Sequence, residues 1–98
     1  MKTEDSNKLI AEFMGLHFDI EVNQIPAFDK DWNKLIPVVE TIEKKVIRFE
    51  IGRESALITL RALNFPEIYV ESWAEANSKL DATYQAVVQF IQWYNQNH

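Results

Sequence analysis

The sequence predicts an α+β domain: a small antiparallel sheet of about three strands packed with three helices, in the order α-α-β-β-β-α and sandwich-like in layering. Three observations predict it. Apolar residues recur at helical spacing over 7–14, 32–42 and 80–94. The period drops to two over 46–72, broken at Gly52 and again at Asn64–Pro66. The chain has 98 residues, 47% hydrophobic and 26% charged, which suits one core over residues 1–98 without metal or disulfide staples.

The first helix is predicted from a Thr3 N-cap, with Glu4 and Asp5 at the positive end of its dipole and Leu9, Ile10, Phe13 and Met14 on one face. Gly15 stands where a left-handed C-cap is wanted. Residues 16–28 read as an irregular connection with a short edge strand, because His17, Asp19 and Glu21 alternate with Phe18, Ile20 and Val22.

Asp29 or Asp31 caps a second helix to about Lys45, with Trp32, Leu35, Ile36, Val39 and Ile42 as its buried stripe. Pro37 lies inside it, offers no amide to the carbonyl of Asn33, and predicts a bend. Val46–Ile51 and Ala56–Arg61 form a hairpin across Gly52–Ser55, and Glu67–Ser72 forms a third strand after Pro66. Ser78 with Asp81 approximates a capping box for the last helix, which runs to about Asn95. Leu80, Tyr84, Val87, Val88, Ile91 and Tyr94 make its stripe; Gln85, Gln89, Gln92 and Gln96 lie opposite.

Composition excludes several chemistries. No cysteine is present, so thiolate nucleophiles, disulfides and thiolate metal sites are absent. Two glycines, at 15 and 52, cannot build a phosphate-cradling loop. The net charge of −5 is spread evenly, with nine acids against six bases in residues 1–45 and six against four in 46–98. No basic patch offers itself to phosphates, so direct nucleic-acid binding is not expected. A polar Met1–Ser6 and the lack of a long apolar run predict a cytoplasmic protein outside the membrane.

Two groups of residues draw attention as sites. On a strand, His17, Asp19 and Glu21 would project from one face about 7 Å apart and offer nitrogen and oxygen ligands to a divalent metal. A solvated strand face explains the same alternation, so no metal, cofactor or catalytic residue is assigned. Glu67, Glu71 and Glu75 form an acidic group with Asp81 further on, and Glu67 and Glu71 are expected to face water. The other candidate is apolar. Phe90 and Trp93 widen the arc of the last helix beyond one contact surface, and are read as an interaction surface. Either the first helix covers them, or a protein partner or second copy does, in a homodimer.

Asn7-Lys8-Leu9-Ile10-Ala11-Glu12-Phe13-Met14-Gly15, Trp32–Glu40 with Ile42-Glu43, and Ser78–Tyr94 with Ala82-Thr83-Tyr84, Ala86-Val87-Val88 and Phe90-Ile91 carry a resemblance across nearly the whole chain. It looks like small proteins of phages and Bacteroidetes-type genomes, and is similar in layout to the phage α/β/α sandwich domain with its opening N-x-L-I-A-E-x-M-G helix. The resemblance implies three α/β/α layers, a phage or prophage origin, and no catalytic residues. The 16–28 connection and the Trp/Tyr-rich end of the last helix depart from that pattern. The expected role is a non-enzymatic accessory protein acting through a protein-binding surface. The alternatives are a small metal-dependent enzyme built on His17 and nearby acids, or an acidic mimic of nucleic acid.

Overall fold

The computed structural model describes residues 3–15, 25–46, 48–59, 67–74 and 77–97. They form α1 (Thr3–Phe13), α2 (Trp32–Glu43), β1 (Arg48–Ile51), β2 (Ser55–Thr59), β3 (Ile68–Glu71) and α3 (Ser78–Asn97), the expected order. The strands make one antiparallel sheet, β1-β2-β3. Its register aligns Phe49, Ile58 and Ile68 in one row and Ile51, Ala56 and Val70 in another. These two rows form the inner face, with Ala56, Ile58, Ile68 and Val70 buried.

α3 is the central element. It packs on β2 and β3, while α1 and α2 both pack on α3 and α2 also reaches β1. Apolar residues almost all round its axis therefore find cover: Leu80, Ala82, Ala86, Val87, Phe90 and Ile91 are buried, and Gln85 and Gln89 are exposed. The described helices thus gather on one face of the sheet. The further layer implied by the sandwich resemblance is not formed by the described elements, because the opposite face carries exposed Arg48, Glu50, Tyr69 and Glu71.

The reading of Phe90 as an interaction surface is corrected. Phe90 is fully buried. The Phe13 ring of α1 meets it edge-on at 6.4 Å and meets Tyr94 at 5.5 Å. Trp93 is half-buried against the same core, 6.2 Å from Phe90. Lys45 places its ammonium 5.3 Å from the Tyr94 ring, so the ends of three helices converge there. α1 thus covers Phe90, while Trp93 keeps part of its ring in solvent.

Local signals mostly hold. Gly15 has φ +75° and its N–H donates to the Glu12 carbonyl, closing α1 in the left-handed conformation. Asp31, not Asp29, caps α2, its carboxylate accepting the Asn33 N–H at 2.9 Å. Pro37 sits inside α2 and is exposed, as is Asn33, so water can bond the carbonyl left without an amide. The buried stripe of α2 is Leu35, Val38, Val39 and Ile42; Ile36 is exposed, contrary to expectation. Positions 35, 38, 39 and 42 fall on one narrow face, and Ile36 lies about 100° from Leu35 around the axis. The capping box is also corrected. Ser78 Oγ donates to the Arg53 carbonyl, and Asp81 accepts from Ser72 Oγ and Gln85 Nε2. Phe28, expected in a loop, is buried in the core.

Candidate functional site

Period-2 alternation sends Leu57, Tyr69 and Glu50 to the outer face in one row across the sheet, with Ser55 beside Glu71 in the next. No described helix packs there, and Arg48, Glu50, Tyr69 and Glu71 are exposed on this face. Two adjoining clefts run along it. One, of about 360 Å³, is lined by Arg53, Glu54, Ser55, Tyr69, Glu71 and Trp73. The second, of about 430 Å³, shares Ser55 and Tyr69 and extends over Leu57 to Glu50.

The aromatic residues of the first cleft are unusually displayed. Tyr69 is 57% exposed and Trp73 75%. Yet the backbone presenting Trp73 is held on both sides. The Ser72 N–H donates to the Glu54 carbonyl at 2.8 Å, tying the exit of β3 to the β1–β2 hairpin. The Ala74 N–H donates to Ser72 Oγ at 3.4 Å. Ser72 Oγ in turn donates to Asp81 Oδ2 at 2.5 Å, which anchors the segment to the first turn of α3. The hairpin itself is tight: a Cβ on Gly52 would sit 2.7 Å from Ser55 Oγ. Trp73 is therefore a ring in water on a backbone hydrogen-bonded at both neighbouring amides.

The electrostatics are mixed in sign with an acidic excess. Glu50, Glu67 and Glu71 are exposed and Glu54 is half-buried, facing Arg48 and Arg53. Arg48 pairs with Glu50 at 3.3 Å, and both are well solvated. The Tyr69 hydroxyl donates to Glu71 Oε1 at 2.7 Å. That hydrogen bond, together with the charge of Glu71, raises the phenol above its ordinary pKa.

A separate cavity of about 280 Å³ opens between α1 and α3, beside Thr3, Ser6 and Tyr84. Its polar floor is already satisfied. Tyr84 donates to Asn7 Oδ1 at 3.0 Å, and Asn7 Nδ2 donates to Asp29 Oδ1 at 3.1 Å. Burial pushes the Tyr84 phenol up to about 12; the charges of Asp29 and Asp81 act the same way and a bond with Ser6 opposes them. This network joins α3, α1 and the turn before α2, and its role is structural.

His17, Asp19, Glu21 and Glu75 lie outside the described residues. Glu67 and Glu71 face water, as expected, whereas Asp81 belongs to the inner side through Ser72. The acidic group is thus divided by the sheet. Among the described residues no three His, Cys, Asp or Glu side chains are grouped to hold a metal. No helix of the described residues is long and apolar enough to cross a membrane.

Tyr69 and Trp73 are not among the sites expected from the sequence, although the sequence carries their signal. Glu67, Tyr69, Glu71 and Trp73 share one parity, and Ile68, Val70 and Ser72 share the other. Once the aliphatic set faces the core, both rings must stand among the acids outside. The chain matches no family model, no curated protein and no solved structure.

Proposed function

We propose that this chain is a protein-interaction module without catalytic activity, and that it binds through the outer face of its sheet. One observation carries the reading: Trp73, 75% exposed, on a backbone hydrogen-bonded at Ser72 and Ala74. An indole in water holds a large area for burial on contact, and a pre-ordered backbone lowers the entropy cost of that contact. Tryptophan and tyrosine are also the side chains on which interface energy concentrates. The adjoining clefts give a partner segment a path of shallow relief from Trp73 across Tyr69 to Leu57.

In the same reading the protein is a phage- or prophage-related accessory factor working in the cytoplasm. The setting rests on the resemblance of residues 7–15, 32–43 and 78–94, and a chain without cysteine is at home in a reducing compartment.

Selection of a displayed random-peptide library on the full chain tests the binding surface. Enriched peptides are expected to bind the wild type and to lose at least about tenfold in affinity against Trp73→Ala, with the thermal midpoint unchanged. Peptides that bind Trp73→Ala and Tyr69→Ala as tightly as the wild type would remove the outer face from consideration.

A further inference from the structure

We infer that the cleft beside Trp73 is a subsite for a cationic side chain, in the first place an arginine of a basic partner segment. This rests on the proposed binding face and names the chemistry of its occupant. Three features of the cleft converge on a cation.

The first is the pairing of two exposed rings in one cleft. Tyr69 and Trp73 both line it, and a guanidinium is held over an indole or phenol face by the ring quadrupole and by flat stacking. The second is the carboxylate between them in sequence. Glu71 also lines the cleft, and the Tyr69 hydroxyl bonded to Oε1 at 2.7 Å restrains phenol and carboxylate together. An arriving guanidinium therefore meets a ring face and a restrained acceptor in one cleft, and its charge-assisted bond to that carboxylate is stronger than a bond between neutral groups.

The third feature is charge complementarity. Glu54 and Glu71 line the cleft against Arg53, exposed Glu67 precedes β3, and Arg48 on the same face is already paired with Glu50. The whole chain carries −5, so the long-range field also favours a basic segment. An acidic partner would meet repulsion from Glu54 and Glu71. A purely apolar one would strip water from those carboxylates without replacing it. Arg53 works against a cation here, and this gives the assignment a signature of its own.

The test uses the 15N-labelled full chain and follows the indole N–H of Trp73, with those of Trp32 and Trp93 as internal controls. The probes are a blocked peptide containing two arginines and the same peptide with citrulline, which keeps the shape and removes the charge. The arginine peptide should shift the Trp73 indole and the Ser55 and Tyr69 amides, with citrulline at least about fivefold weaker. Glu71→Gln should weaken arginine binding about three- to tenfold, and Arg53→Gln should strengthen it about two- to fivefold. Added salt should weaken binding further.

Equal binding of the citrulline peptide, or tighter binding to Glu71→Gln, overturns the inference. So does the absence of any Trp73 shift at about 10 mM arginine peptide. A Trp73 shift that grows with protein concentration alone assigns the face to a second copy and also overturns it. The two readings fail separately. Library peptides that lack cations yet need Trp73 would leave the binding face standing and remove only the cationic subsite.

Discussion

Tyr84 shows how one polar atom ties distant parts of the chain. Its hydroxyl reaches Asn7 across α1, and Asn7 reaches Asp29 before α2. Tyr84→Phe leaves the Asn7 oxygen buried without that donor and is expected to cost about 1–2 kcal/mol in denaturant unfolding. The pH dependence has a definite sign. Burial raises the folded-state value from 10.0 to about 12, so the folded protein keeps a proton that the unfolded chain has lost. The contribution is whole below pH 10.0 and declines as pH rises toward about 12. Stability of the wild type should therefore fall more steeply over that window than stability of Tyr84→Phe. Tyr69 is raised in the same direction, but it stands in solvent and adds little.

The helices owe their limits to single residues and their faces to their neighbours. Gly15 ends α1 at φ +75°, and nothing lies within 4 Å of a Cβ placed there. Gly15→Ala thus meets open space and suffers only the left-handed backbone, a cost of about 1–2 kcal/mol measurable as a lower denaturant midpoint. A change below about 0.3 kcal/mol would show that the turn carries no strain for a side chain. α2 has more apolar positions than one stripe holds. Leu35, Val38, Val39 and Ile42 are the four that its packing on α3 and β1 buries, which leaves Ile36 in water. Within α3, Thr83 is fully buried, yet its hydroxyl is satisfied by the Lys79 carbonyl at 2.8 Å. A small polar residue can thus sit in the central helix without a partner from another element.

At the scale of the whole molecule the tryptophans separate packing from display. Trp93 joins Phe90 in the ring cluster that α1 closes, while Trp73 stands on the open sheet face. Trp93→Asp places a charge against the core and is expected to cost about 3 kcal/mol or more, seen as a large drop in thermal midpoint. Trp73→Asp should change stability by less than about 0.5 kcal/mol. Comparable losses from the two variants would mean that Trp73 is a packing residue, and would undermine the proposed binding face with it. The same asymmetry explains why the sheet has one dry side. α3 packs on β2 and β3, α2 reaches β1 and α1 lies against α3, whereas Arg48, Glu50, Tyr69 and Glu71 stand exposed on the other side.

The sequence by itself determined the element order, the Gly15 stop, an aspartate cap at 29 or 31 for α2 and the two-sided character of the strands; the structure chose Asp31. These depend on contacts within a few residues and on the periods of helix and strand, which are written along the chain. It also held the parity that puts Tyr69 and Trp73 with the acids. Tertiary structure alone decided that α1 covers Phe90, that Val38 rather than Ile36 is buried, and that Ser72 and Asp81 hold the segment carrying Trp73. The physical reason is that a periodic pattern states how much apolar surface an element must hide, but only the docked neighbours state which part is hidden and which is left to water.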